Sequence, residues 1–132
     1  MPEPYPAKVL IETDVLAKYL SSENKTANDD LIVIFENSIA FTTVLNASEL
    51  FFAAKSDEEQ KSVRKLLNAL KVIGLHSRYS LSVNKYSSLV NSVRDALFCI
   101  VADFNKLPIV TYNDKKFINT GLTVINPKIM RG

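Results

Sequence analysis

Cysteine, histidine and glycine are scarce in this 132-residue chain, and tryptophan is absent. The one cysteine, Cys99, cannot form an internal disulfide, and it lies in an apolar run where we expect a buried structural thiol. This cysteine usage fits the reducing cytoplasm, where we predict the protein resides. The one histidine, His76, is distant in sequence from the acidic segments described below, which argues against a catalytic histidine.

The chain also lacks long apolar runs and a strong charge of either sign. No stretch approaches the roughly 18 apolar residues of a transmembrane helix, so we expect no contact with a membrane. Residues 1–6 are polar and rich in proline, unlike a secretory signal peptide. The net charge of +2 does not indicate nucleic-acid binding, so a polyanion would have to be held by a local patch or through metal ions.

What remains is an ordinary globular composition, with 47% hydrophobic and 23% charged residues. The length suits one domain, which we predict over residues 1–132. Strand-like and helix-like segments alternate along it. Strands are predicted at 8–11, 40–43, 75–76, 107–111 and 122–125. Helices are predicted at 15–20, from a cap at 28–30, at 45–54, from Ser56-x-x-Glu59 to Gly74, at 83–90 and at 95–104. This alternation predicts an α/β fold with a mostly parallel sheet of four to five strands covered on both faces.

Polar side chains follow two of the predicted strands. Glu12 and Asp14 come after the first strand, and Asn113 and Asp114 come after the strand that ends at Thr111. In open α/β sheets, ligands bind beyond the carboxyl ends of the strands. If the first strand continued, Glu12 and Asp14 would project to the same side of the sheet.

Two further acids lie in predicted helices. Glu49 has apolar neighbours that predict a largely covered helix, and a buried or half-buried carboxylate there favours pairing with a metal ion or a lysine. Asp95 opens another helix, where an acid also has a purely structural explanation in the helix dipole.

Four segments of the chain resemble those of the PIN-domain family, as found in VapC-type toxins. The segment 10–16, Leu-Ile-Glu-Thr-Asp-Val-Leu, is similar to the family's opening block, and 43–51 is similar to the block that carries a glutamate, here Glu49. The Asp95-Ala96-Leu97 helix with Ala102 is similar to the third block, and 108–117 to the fourth. The resemblance spans nearly the whole chain and implies a three-layer α/β/α domain.

This resemblance implies a Mg²⁺- or Mn²⁺-dependent ribonuclease, because carboxylates suit these hard ions. Glu12 or Asp14, with Glu49 and Asp95, would bind the first ion. Asn113 or Asp114 would complete the site or hold a water molecule, and Thr111 would hydrogen-bond a ligand or water. Glu12 and Asn113 stand where relatives usually carry aspartate, so both alternatives in this ligand set stay open.

Basic residues beside these acids are candidates for contacts with the RNA backbone, namely Arg94, Lys115 and Lys116, and their alternative role is a solvated charged surface. Tyr112 is a candidate for stacking on unpaired bases. The resemblance further implies a cognate antitoxin and a homodimer. The apolar faces of the helices near 28–39 and 56–73 could serve either partner or form the core.

Two other classes of protein compete with this interpretation. A phosphorylation-regulated receiver domain needs an aspartate at the end of a central strand, and the middle of this chain offers only Asp57 at a helix start. A PIN fold with weakened catalysis would leave an RNA- or protein-binding module. The departures at Glu12 and Asn113 favour that module, whereas Glu49 and Asp95 oppose it.

Overall fold

The computed structural model describes residues 5–23, 26 and 29–130, and Asn28 of the predicted helix cap lies outside them. In these ranges five strands form one parallel sheet, in the order β3-β2-β1-β4-β5. The strands are β1 Lys8–Ile11, β2 Ile39–Thr43, β3 Lys71–Ile73, β4 Ile109–Val110 and β5 Val124–Ile125. The helices are α1 Thr13–Ser21, α2 Asp30–Asn37, α3 Val44–Ala53, α4 Asp57–Leu67, α5 Val93–Asn105 and α6 Pro127–Met130.

The central strand β1 is buried on both of its faces. Val9 and Ile11 pack into one core cluster with apolar residues of α1 to α4, including Leu16, Leu31 and Val63. Leu10 points the opposite way, into a second cluster built mainly by α5. Successive strand side chains alternate between the two faces, so one short strand supplies both cores. The predicted three-layer α/β/α fold is therefore confirmed.

The order of the strands places a switch point beside β1. The chain adds β2 and β3 on one side of β1, and then crosses to the other side to add β4 and β5. Ligand sites of open α/β sheets lie at the carboxyl ends of strands where the order reverses in this way. Here that position is the end of β1 and β4, at Glu12 and Thr111.

Between Ser56 and Val90, three predicted elements differ from the structure. Helix α4 ends at Leu67 and not at Gly74, and the next strand is Lys71–Ile73 and not residues 75–76. Leu70 and Ile73 continue the helical spacing by coincidence, while the β-branched pair Val72–Ile73 favours a strand. The helix predicted at 83–90 is instead a 3-10 segment at Ser77–Lys85 followed by turns.

Helix α1 begins earlier than predicted, at Thr13, with Glu12 as its N-cap. Asp14 therefore lies in the first turn of a helix, and the strand geometry that would align it with Glu12 does not apply. None of the helices in the described ranges is long and apolar enough to cross a membrane.

Candidate active site

A cavity of about 540 Å³ opens at the carboxyl ends of β1 and β4. Most of the predicted site residues line it, although they come from distant parts of the sequence. Its lining consists of Glu12, Thr13, Asp14, Glu49, Ser92, Arg94, Asp95, Thr111, Asn113 and Lys116.

Glu12 lies at the bottom of this cavity and is only 3% exposed. Its carboxylate accepts a hydrogen bond of 2.9 Å from the backbone N–H of Thr13, which caps α1. It also accepts one of 2.8 Å from Nδ2 of Asn46, a fully buried side chain of α3. These contacts fix the orientation of the carboxylate before any ligand arrives.

Asp95 and Glu49 face the same cavity from two helices. Asp95 lies in the first turn of α5, whose N-cap is Ser92, and is 4% exposed. The side chain of Glu49, on α3, is 44% exposed. Glu49 thus lies at the more exposed end of the predicted range, because α3 presents this position toward solvent.

Arg94 lies among the three carboxylates instead of facing solvent. Its guanidinium donates to Oε2 of Glu12 at 2.6 Å, to Oε1 of Glu49 at 2.6 Å and to Oδ1 of Asp95 at 3.2 Å. A further short contact joins Nη2 to Oε1 of Glu12. Lys116 adds a second cation, with Nζ 2.9 Å from Oδ1 of Asp95 and 3.7 Å from Oε2 of Glu12.

This network shifts the pKa values of two of its members. Burial acts to raise the pKa of the Glu49 carboxyl, but hydrogen bonds from Arg94 and Thr13, with the charges of Arg94 and Lys116, hold it below its ordinary value. Burial acts to lower the pKa of Arg94, but its bonds to Glu12 and Glu49 raise it above its ordinary value. Both groups therefore stay charged at neutral pH.

Asp14 lines the cavity, but its oxygens serve the backbone and β4. Oδ1 accepts from the N–H of Val15 at 2.8 Å. Oδ2 accepts from Oγ1 of Thr111 at 2.8 Å and from the N–H of Tyr112 at 3.0 Å. Of the two alternatives Glu12 and Asp14, the structure places Glu12 in the cluster with Arg94, and Asp14 joins α1 to the end of β4.

The fourth predicted segment divides between the cavity and its surroundings. Asn113 lines the cavity, whereas Asp114 is not among the lining residues and accepts a 3.4 Å hydrogen bond from Nδ2 of Asn126. Lys115 is exposed outside the cavity. Tyr112 is half-buried, with its hydroxyl donating to Asp30 at 2.7 Å, so its ring is not the exposed platform predicted from the sequence.

Two residues that bridge the acids of the site, Thr13 and Asn46, are not among the predicted site residues. The hydroxyl of Thr13 donates to Oε1 of Glu49 at 2.6 Å and accepts from Nδ2 of Asn46 at 2.9 Å. Because the N–H of Thr13 also donates to Glu12, this residue connects Glu12 and Glu49. Asn46 forms a capping box with Thr43 at the start of α3. The Thr43-x-x-Asn46 spacing at a strand–helix junction is the signal that would have indicated this role. His76 caps the 3-10 segment through Nδ1 and does not line the cavity.

The donor set suits a divalent metal ion chemically, since Glu12, Glu49 and Asp95 offer only hard oxygen ligands. In the present arrangement, however, no group of three or more acidic, histidine or cysteine side chains in the described residues is placed to enclose an ion. Arg94 and Lys116 contact these acids and balance two of their three negative charges. The ligand types therefore fit Mg²⁺ or Mn²⁺, provided that the resident cations make room.

No family model and no curated protein sequence matches the chain significantly. Solved structures do match it. A toxin–antitoxin complex from Klebsiella pneumoniae matches with a TM-score of 0.74 and 18% identity, over 90% of this chain and 97% of that one. VapBC2 from Rickettsia felis, bound to a promoter DNA fragment, gives 0.74 and 15% over the same shares. VapBC-1 from nontypeable Haemophilus influenzae gives 0.74 and 14%, over 92% and 98%.

The chain has the PIN-like fold. The resemblance seen in the four sequence segments is thus confirmed at the level of the fold. At 12–18% identity, the shared PIN-like fold does not show that this chain has the activity of these neighbours. The chemistry has to be argued from the site.

Proposed function

We propose that this chain is a VapC-type toxin, a Mg²⁺- or Mn²⁺-dependent endoribonuclease. The observation that carries the proposal is the convergence of Glu12, Glu49 and Asp95 in one cavity, from three elements separated in sequence. That cavity lies at the switch point of a parallel sheet, where folds of this kind bind ligands.

In this proposal Glu12, Glu49 and Asp95 hold the ion, and Asn46 and Thr13 orient the carboxylates. When bound, the ion would activate a water molecule and stabilise the negative charge that develops on the phosphate. Asn113 and Thr111 border the cavity, where Asn113 is exposed and able to contact a substrate or a water molecule. No histidine is required, which agrees with the position of His76 outside the cavity.

We propose that the basic side chains at this edge of the sheet contact the RNA. Arg94 and Lys116 remain 23% and 28% exposed at their side chains, so a phosphate group at the mouth of the cavity can reach them. Lys115 is exposed next to them. A cognate antitoxin partner is supported by the structural neighbours, which are toxin–antitoxin complexes. A homodimer and a cytoplasmic location remain predictions.

The direct test is cleavage of a mixed structured RNA by the purified protein with Mn²⁺, Mg²⁺ or EDTA. We expect cleavage that requires the metal and that falls at least about 100-fold in Asp95→Asn, because losing a direct ligand should cost at least as much as losing an outer-sphere partner. Asp103→Asn is the matched control on the same helix. Asp103 lies outside the cavity, paired with Lys85 at 2.7 Å, and its replacement should leave cleavage intact.

A PIN-fold binding module with weakened catalysis is the second candidate. The observation that favours it is the ion-pair network itself, in which Arg94 and Lys116 already neutralise most of the acidic cluster. Such a module would bind RNA equally well in excess EDTA and would cleave it with neither ion. If folded, antitoxin-free protein behaves in this way, the nuclease proposal is wrong and the binding module takes its place.

A further inference from the structure

Arg94 uses all three of its guanidinium nitrogens inside the acidic cluster. Nε donates to Oε2 of Glu49 at 3.2 Å, and Nη1 donates to both Glu12 and Asp95. Nη2 contacts Glu12 and Glu49, and lies 3.1 Å from Oγ1 of Thr13. The fork shape of a guanidinium allows one side chain to hold several carboxylates at once, which an ammonium group cannot do as well.

The same oxygens are the ones that a metal ion would need. Both oxygens of Glu12 contact Arg94, as do both oxygens of Glu49. An entering divalent cation would meet a resident charge of +2, from Arg94 and Lys116, within the same cavity. The entering cation and these two basic side chains carry charges of the same sign, and they repel each other strongly in a partly buried cavity.

Side chains and backbone of the protein itself satisfy the buried polar atoms of the network. Among the described residues, every buried side-chain nitrogen and oxygen atom has a hydrogen-bond partner. Buried carboxylates as close as Glu12 and Asp95 would otherwise repel each other, so Arg94 stabilises the cluster in the metal-free protein. The Arg94 side chain is also 23% exposed, at the second residue of α5, so solvent lies beside its present position.

We propose that Arg94 is an internal competitor of the metal ion. It holds Glu12, Glu49 and Asp95 together in the metal-free protein, and it withdraws toward solvent when a divalent ion binds. Arg94 is then a positioning residue that sets the metal concentration at which the site fills. This inference rests on the proposed function, since it takes the three acids as the metal ligands.

The experiment is the binding of Mn²⁺ alone, without RNA, measured by isothermal titration calorimetry on the full chain. We expect Arg94→Gln to bind Mn²⁺ at least tenfold more tightly than the wild-type protein, because the competing charge is gone. The unfolding temperature gives a second readout. Metal-free Arg94→Gln should unfold at a lower temperature than the wild-type protein, and Mn²⁺ should raise its unfolding temperature more.

Arg64→Gln is the control, since it makes the same change in net charge. Arg64 lies on α4, outside the cavity and near the ring of Phe51. Its replacement should leave the affinity for Mn²⁺ within twofold of the wild-type value. If Arg94→Gln does not fold without metal, Arg94→Lys provides the comparison, because it keeps the charge but loses the fork. Its affinity for Mn²⁺ should then exceed that of the wild-type protein.

Equal affinities in the wild-type protein and the Arg94 variants, with binding lost in Asp95→Asn, would overturn the role of Arg94 and leave the metal site standing. No Mn²⁺ binding by any folded variant would overturn both the competitor and the metal-dependent function. Tighter binding confined to the Arg94 variants would support the competitor, whatever the RNA cleavage assay shows.

Discussion

Glu12 serves two purposes with one carboxylate. It caps α1 through the N–H of Thr13, and it accepts hydrogen bonds from Asn46 and Arg94 inside the cavity. An N-cap is usually a short polar side chain, and glutamate is unusual in that position. The longer side chain at this point thus joins the start of a helix to the acidic cluster, so a change at Glu12 would affect both stability and the site.

Cys99 is the residue for which chemical reactivity can be predicted most simply. It is fully buried on α5, and burial, followed by the charges of Asp95 and Glu12, raises the pKa of its thiol to about 12. Raising the pKa from 9.0 to about 12 lowers the thiolate fraction at pH 8 about a thousandfold. We expect the native protein to react very slowly with a chromogenic thiol reagent, and one thiol to react at once in guanidinium chloride. Fast labelling of the native protein would contradict this burial.

At the residue scale, the sequence predicts the acids better than their partners. Glu12 stands out because it follows a strand and Asp95 because it opens a helix, whereas Glu49 stands out as an acid among the apolar residues of α3. The position of Arg94 cannot be predicted in this way, because its main contact is with Glu12, which lies 82 positions away in the sequence. An arginine next to an aspartate indicates a charged surface as readily as an internal ion pair, and only the fold decides between them.

The junction of β2 and α3 is the element on which the geometry of the site depends. Thr43 donates from Oγ1 to Oδ1 of Asn46 at 2.6 Å, and the N–H of Thr43 donates to the same oxygen at 3.0 Å. The amide nitrogen of Asn46 is left free to reach Glu12 and Thr13. One capping box therefore begins a helix and fixes the cavity at the same time.

Asn46→Ala should lower the free energy of unfolding by about 2 kcal/mol or more, since it removes the N3 side chain of the capping box of α3 and leaves buried partners unsatisfied. Urea denaturation measures this change. The matched control is Ser56→Ala, which removes the exposed cap of α4 and should cost about 1 kcal/mol without affecting RNA cleavage. Equal destabilisation by the two variants would show that the buried contacts of Asn46 contribute nothing beyond an ordinary cap.

Elements with strong apolar patterns are predictable from this sequence, and weakly patterned ones are not. The segments at β1, β2, α3 and α5 lie where their patterns predict them, within one or two residues. The region from Leu67 to Val90 differs from its sequence prediction. It holds a three-residue strand and a 3-10 segment, and such short elements are determined by tertiary packing more than by local periodicity.

At the scale of the whole molecule, charge is unevenly distributed in a way that the composition hides. The net charge of +2 does not reveal where on the molecule the charged side chains lie. The cavity gathers four carboxylates and two cations from four different segments around Glu12, Glu49, Arg94 and Lys116. The parallel sheet makes this possible, because the carboxyl ends of β1 and β4 lie side by side.

The position of Mn²⁺ in a crystal of the protein tests the central claim most directly, through its anomalous scattering. The claim is that Glu12, Glu49 and Asp95 form one metal centre at this edge of the sheet. We predict an anomalous peak coordinated by these three carboxylates, with the Arg94 side chain turned away from Glu12. A well-ordered crystal grown in excess Mn²⁺ that shows Arg94 still bound to Glu12, with no peak in the cavity, would contradict the account.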